Sequence, residues 1–231
     1  MARFFIEDIR TGEVTLPAEI SKHLQVLRAK AGEVIELFNG KGLVAKALLK
    51  ELHKKSALAE VFSLGMTPHT HFHWVLAFSV TSVDKMALIV QKATELGVDA
   101  LQPLIFKYSQ PWPFEKEKRR LEHFTKIIRH ACEQCGENWS PDFLSPVPFL
   151  DWLQQAKRPL LLLEPTASLS LKNLQAQSDV AFIIGPEGGL ADDEKNMAFS
   201  QATAVSLGKN ILRMETACLA VLAAAHALWD A

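Results

Sequence analysis

Apolar positions recur along the chain with two different periods, and the change from one to the other divides it. In the first part they alternate: Arg3–Ile9 and Glu13–Leu16 read as short strands, and Glu33–Phe38 and Leu43–Leu49 flank Asn39-Gly40-Lys41-Gly42. Asn-Gly between apolar runs is a hairpin signal, because both residues tolerate the positive φ that tight hairpin turns need. Ala57–Leu64 supplies a further strand. Between the first strands and the hairpin, Pro17–Leu27 places Ile20, Leu24 and Leu27 on one helical face. The pattern predicts a small β-barrel with one helix.

Turn formers from Gly65 to His71 break this rhythm, so the boundary falls there, giving domains 1–70 and 71–231. Beyond it, strands and helices alternate. Trp74–Val80 is an apolar strand, and Asp84–Leu96 carries Met86, Ile89, Val90, Ala93 and Leu96 on one face before Gly97 stops it. Ala100–Phe106 follows as a strand. A long helix then carries Leu121, Phe124, Ile128, Ala131 and Cys135 and ends at Gly136. A short helix at Phe149–Ala156, strands at Pro159–Leu163, Val180–Ile184 and Ala204–Leu207, a helix opening at Asp192 and a last helix complete the order. Strands that are apolar throughout and separated by helices predict an α/β domain with a parallel sheet covered on both faces.

Composition narrows the class without naming it. Hydrophobic residues are 48% and charged residues 22% of 231 positions, the balance of a globular chain. Glu7 and Asp8 interrupt the opening apolar stretch, and no later run reaches the ~20 residues of a spanning helix, which predicts a cytoplasmic protein. Three cysteines do not make a disulfide framework. A net charge of −1 excludes binding nucleic acid through bulk charge and moves that question to local basic patches.

The segment richest in chemistry is Phe182-Ile183-Ile184-Gly185-Pro186-Glu187-Gly188-Gly189-Leu190, followed by Ala191-Asp192-Asp193-Glu194. A buried strand enters a glycine-rich turn and then a helix whose first turn is acidic. Glycines let a ligand approach the backbone, and amides at the helix start offer donors. The carboxylates suit the helix dipole but repel a pyrophosphate, so the turn fits a zwitterionic or cationic ligand better than a nucleotide phosphate. Neither the lysine-bearing phosphate loop nor G-x-G-x-x-G occurs. From spacing alone, a turn shaped by glycine without a ligand explains the segment equally well. A second strand, loop and helix opening runs from Val205 to Ala217, where Arg213 and Glu215 stand near a helix start. Taken alone, it reads as a solvated arginine and a glutamate complementing the dipole.

Together, Ile184–Leu190, Leu207-Gly208 with Ile211-Leu212-Arg213 and Glu215-Thr216-Ala217, Gln91–Gly97, and Ala131–Gly136 resemble the RsmE family, bacterial enzymes that methylate N3 of a uridine in small-subunit ribosomal RNA. Arg3-Phe4-Phe5 and Val26-Leu27-Arg28 resemble that family's opening motifs, so the resemblance covers essentially the whole chain. It implies a SPOUT-type parallel sheet with a C-terminal trefoil knot, preceded by a PUA-like RNA-binding barrel. It also implies S-adenosylmethionine as cofactor and a homodimer, with no metal. The cofactor would be bound by Leu163, Glu164, Ile184, Gly185, Pro186, Glu187, Gly188, Gly189, Leu207, Gly208, Ile211, Leu212, Thr216 and Ala217. Arg213 and Glu215 would be catalytic. Arg3, Arg10, Lys22, Arg28, Arg119 and Arg120 would hold RNA, either ribosomal RNA of the small subunit or the assembled subunit.

The chain departs from the family where Glu-Arg-Ser is replaced by Lys107-Tyr108-Ser109 and Cys-Gly-Arg by Cys135-Gly136-Glu137. Lys209-Asn210 and Thr81-Ser82-Val83 stand where further arginines are expected. Each lost arginine removes a phosphate contact, and Glu137 adds repulsion. These departures keep two alternatives open: a non-catalytic RNA-binding or ribosome-assembly protein, and a methyltransferase of the same fold acting on another RNA nucleotide. His123, His130, Cys132 and Cys135 offer zinc-ligand chemistry, but on one helix rather than on separated knuckles. His69, His71 and His73 alternate in the linker, where a solvated stretch explains them.

Overall fold

The structure is a computed structural model that describes residues 1–69 and 72–229. His71 and the expected boundary at 70/71 lie outside the described residues. The chain forms two compact units, Met1–His69 with Cys132–Ser140, and Thr70–Ala131 with Pro141–Ala231.

In the first unit, β1 (Arg3–Phe5), β2 (Gly12–Leu16), β3 (Val34–Phe38), β4 (Leu43–Leu52) and β5 (Ala57–Met66) join in the order β1-β3-β4-β5-β2. All pairings are antiparallel except β1 with β3. The hairpin between β3 and β4 forms as the Asn-Gly signal predicts. Asn39 Oδ1 accepts hydrogen bonds from the amides of Lys41 and Leu43, and Gly40 and Gly42 both take positive φ. α1 (Ala18–Val26) turns Ile20 and Leu24 into a core with Phe4, Leu16, Ile35, Leu37 and Leu49. β1 is shorter than the run Arg3–Ile9 promised, because Glu7 and Asp8 turn outward into solvent.

The return of 132–140 to this unit is a long-range feature that periodicity does not reveal. Glu133 Oε1 accepts the Phe5 amide at 3.0 Å, and the Trp139 indole donates to the Thr67 carbonyl at 3.1 Å. Arg3, expected to face RNA, makes several contacts here. Its guanidinium pairs with Glu36 at 2.7 Å, donates to the Glu137 carbonyl and Asn138 Oδ1 at 2.6 Å each, and lies over the Phe38 ring. With its side chain 12% exposed, Arg3 is a structural clamp rather than a free cation. Glu137 is likewise occupied: its carboxylate accepts the amides of Asn138 and Trp139 and caps that turn.

The second unit has a parallel sheet of β6 (His73–Ser79), β7 (Ala100–Ile105), β8 (Asp142–Phe143), β9 (Val147–Pro148), β10 (Leu160–Leu163), β11 (Asp179–Ile184) and β12 (Thr203–Val205). Their order is β12-β10-β11-β6-β7-β8, with β9 also on β7. The helices are α2 (Val83–Glu95), α3 (Glu117–Cys135, of which residues 132–135 belong to the first unit), α4 (Phe149–Gln155), α5 (Asp192–Gln201) and α6 (Met214–Trp229). Alternation along a parallel strand sends side chains to both faces, and both are covered. Val75, Ala77, Leu162 and Ile183 meet Phe149, Leu153 and Ala198 of α4 and α5. Trp74 and Phe182 meet Trp229 of α6 on the other side. The strand order is compatible with the C-terminal knot that the resemblance implies.

Candidate active site

Three loops leave the carboxyl ends of the adjacent strands β12, β10 and β11, the place where open parallel sheets bind ligands. They enclose a cavity of about 650 Å³. The loop after β10 contributes Leu163, Glu164 and Pro165, and that after β11 contributes Ile184, Gly185, Pro186, Glu187, Gly189 and Leu190. The third contributes Val205 to Gly208, Asn210 to Met214, and Ala217 on α6.

The glycine-rich turn is shaped for close approach. Gly189 donates its amide to the Pro186 carbonyl at 2.9 Å and sits at φ +75°, a left-handed conformation that penalises a side chain. A Cβ on Gly185 meets Leu190 Cδ1 at 2.5 Å, which pushes that cavity wall. Glu194, buried in the first turn of α5, fixes the far end of the turn. One carboxylate oxygen accepts the Ala191 amide at 2.9 Å and the other accepts the Lys107 amide at 2.8 Å. The acidic helix start read from the sequence therefore divides: Glu194 is turned inward to hold two loops, while Asp192 and Asp193 stay exposed.

Charge collects at one edge of the cavity. Lys85, on the first turn of α2, hydrogen bonds Glu187 and stands 3.5 Å from Glu215 Oε2 on the first turn of α6. The hydrogen bond to Lys85, with its positive charge, holds the Glu187 carboxyl below the ordinary carboxylate value, and Arg213 adds to that pull. Lys85 is raised in turn, chiefly by the hydrogen bond to Glu187. Arg213 lines the cavity and is exposed, whereas Glu215 lies outside the lining beside Lys85.

Of the residues expected to bind a cofactor, Gly188 and Thr216 do not line the cavity; the other twelve do. Gly188 backs onto Tyr108, and Thr216 is exposed on α6. Pro165, Leu190, Lys195, Val205, Ser206, Asn210 and Met214 line the cavity without having been assigned to the cofactor. Leu190, Val205, Ser206, Asn210 and Met214 fall within the two loop segments read from the sequence, and Pro165 follows Glu164, which were the available signals; Lys195 on α5 had none. Lys85 was also missed, because its partners lie more than a hundred residues away.

The cavity walls are Leu163, Leu190, Leu212 and Met214, with Ile211 85% exposed at the rim. Carboxylates of Glu164 and Glu187 and the cations of Lys195 and Arg213 border it. A volume in the range of small-molecule sites, apolar walls and edges of both charges fit a ligand with an apolar part and a zwitterionic part.

Arg10, Lys22 and Arg28 expose their side chains on the first unit. Arg28 does so from φ +58° just past α1, a conformation non-glycine residues seldom adopt. On α3, Arg119 is exposed and Arg120 is half-buried over the Trp112 ring, 4.9 Å from its centroid. Burial pushes the Cys132 thiol up to about 12, and its sulfur lies 3.6 Å from the Ser140 hydroxyl.

Comparison with known proteins agrees with this architecture. Residues 68–226 match the model of an RNA methyltransferase domain, and residues 16–62 that of an RNA methyltransferase PUA domain. A ribosomal RNA small subunit methyltransferase E of Synechocystis is 31% identical over 235 residues, covering 97% of this chain and 76% of that protein. The crystal structure of a ribosomal RNA small subunit methyltransferase E from Neisseria gonorrhoeae bound to S-adenosyl methionine superposes with a TM-score of 0.90 at 35% identity, covering 99% of this chain and 98% of that one. A Legionella pneumophila protein in complex with bound SAM gives 0.91 at 32%, over 98% and 97%. With matches spanning both units and a strand-end cavity in the second, the chain belongs to the family of ribosomal RNA small subunit methyltransferase E.

Proposed function

We propose that this protein transfers the methyl group of S-adenosylmethionine to N3 of one uridine in small-subunit ribosomal RNA. In this reading residues 71–231 carry the chemistry, residues 1–70 hold the RNA, and the active form is a homodimer. The observation that carries the proposal is the cavity at the ends of β12, β10 and β11 with the Lys85–Glu187–Glu215 cluster and Arg213 at its edge.

The cofactor fits the residues present. Its adenine matches a slot between aliphatic walls and loop backbone, and Gly185 leaves the wall free of a side chain. Glu164 and Glu187 complement its positive charge, and Glu164 has carboxylate capacity beyond the bonds it accepts from Thr166. When bound, the cofactor supplies an electrophilic methyl on a sulfonium.

The protein's task is to hold the uracil nitrogen in line with that methyl and to handle the imide proton. Arg213 is placed to orient the RNA or to offset the negative charge that develops on the uracil oxygens. Glu215 is the carboxylate proposed to take the proton, and Lys85 fixes its position from α2. The uracil ring must leave its stack to reach the cavity, as in other enzymes that modify bases.

The test is transfer of labelled methyl from S-adenosylmethionine to small subunits, and to their naked RNA, from cells lacking the protein, with the product mapped by mass spectrometry. A single N3-methyluridine is expected. Cofactor binding without transfer points instead to a ribosome-assembly protein, and label on a different nucleotide to another RNA methylation.

A further inference from the structure

Tyr108, the only tyrosine in the chain, lies on the loop that leaves the carboxyl end of β7. The residue is 55% exposed. Among the described residues its ring stacks on no other aromatic group, and no hydrogen bond of its hydroxyl is found. A single exposed ring is ordinary on a protein surface, and what sets Tyr108 apart is its place against the glycine turn of the cavity.

Hydrogen bonds hold the loop backbone around it. Ser109 Oγ accepts the Phe106 amide at 3.0 Å and donates to the Phe106 carbonyl at 2.8 Å. Gln110 donates its amide to Val80, and Lys107 donates its amide to the buried Glu194. The loop backbone is thereby tied to α5 and to Val80, just past β6, which fixes where the ring is presented.

Its location gives the function. The position a Cβ on Gly188 would occupy is 3.3 Å from Tyr108 Cβ, so the tyrosine rests against the outer side of the turn whose inner side, through Glu187 and Gly189, lines the cavity. Lys107, beside it, is exposed. An exposed ring with a neighbouring cation is the usual platform for an unstacked nucleobase and its phosphate.

We propose that Tyr108 stacks on an RNA base flanking the target nucleotide and so holds the strand open at the cofactor cavity. The assignment rests on the RNA methylation proposed above. Tyr108 is a substrate-positioning residue in this role: it leaves cofactor affinity alone and acts on RNA affinity and KM more than on kcat.

The experiment uses the full chain and a fluorescein-labelled RNA oligonucleotide spanning the mapped methylation site, read by anisotropy and by methyl transfer. Tyr108→Ala is expected to weaken RNA binding by about tenfold or more, the usual cost of losing one base–aromatic stack, and to raise KM in proportion. Tyr108→Phe, which keeps the ring, is expected to match the wild type. Replacing the flanking base by an abasic site should weaken the wild type but add nothing to Tyr108→Ala. Calorimetry with S-adenosylmethionine and light scattering should give unchanged affinity and mass for both variants. Wild-type RNA affinity in Tyr108→Ala overturns the stacking role while leaving the methylation reading intact. A lower mass for Tyr108→Ala assigns the ring to a contact between copies and also overturns it. If the wild type neither binds nor methylates RNA, both readings fail together.

Discussion

At the scale of single residues, the cluster at the cavity edge makes a prediction with a definite sign. The Glu187 carboxyl lies below its ordinary value of 4.5 because Lys85 hydrogen bonds it, and Lys85 lies above 10.5 for the reciprocal reason. A depressed carboxylate contributes stability that is present above its unfolded value and lost as pH falls through the folded one. A raised lysine contributes stability that is present below its unfolded value and lost as pH rises through the folded one. The pair therefore holds the cavity edge together between about pH 4.5 and 10.5 and loosens outside that window. In Lys85→Met the Glu187 carboxyl should titrate at higher pH than in the wild type, with only Arg213 left to lower it. Carbon-detected NMR of the glutamate carboxyls reads this directly; an unchanged titration would show that Lys85 does not set the charge of Glu187. At the same scale, Arg3 has partners that its place in an opening motif does not reveal. An arginine in an opening motif looks like a phosphate contact, and only the structure reveals its bonds to Glu36, Glu137 and Asn138.

At the scale of elements, Glu194 carries more than its place in an acidic helix start implies. It satisfies the Ala191 amide at the start of α5 and the Lys107 amide on the loop after β7, so one side chain joins the glycine turn to the loop bearing Tyr108. Glu194→Ala leaves the buried Ala191 amide and the part-buried Lys107 amide without their acceptor. The expected loss is about 2–4 kcal/mol, from roughly 1–3 kcal/mol for each unsatisfied group with some relief by water. Urea unfolding measures it, and a loss under about 0.5 kcal/mol, the level of an ordinary surface substitution, would show that the clamp is dispensable. Elements were largely legible because each rests on a local rule. The Asn39–Gly42 hairpin, the face of α2 formed by Met86, Ile89, Val90 and Ala93, and the strand–turn–helix of Ile184 to Asp192 all appear as their residues imply. The two-residue strands β8 and β9 were not legible, since no period exists over two positions. Nor was the docking of 132–140 onto the first unit, which depends on partners far away in sequence. The cavity follows the same division. Its loops were readable one at a time, but their convergence needs the order β12-β10-β11, which places the last strand beside an earlier one.

At the scale of the whole molecule, the homodimer in the proposed function requires a surface, and α6 offers one. Met214, Cys218, Val221, Leu222, Ala225 and Trp229 face the core, which leaves Thr216, Ala223 and Ala227 exposed along the opposite side. Short side chains on one helix face let a second helix approach closely, and an exposed apolar stripe gains from being covered. Thr216 on this stripe is followed by Ala217, which lines the cavity, so covering the stripe also steadies a cavity wall. Light scattering should therefore give the wild type twice its 25.7 kDa chain mass, and Ala223→Arg the mass of a single chain with unchanged circular dichroism. Calorimetry should then find weaker S-adenosylmethionine binding in that variant, because the second copy no longer supports the start of α6. A wild-type monomer at assay concentration would remove the dimer from the proposed function. An Ala223→Arg dimer with normal cofactor affinity would place the interface on another face and leave the cavity complete within one chain.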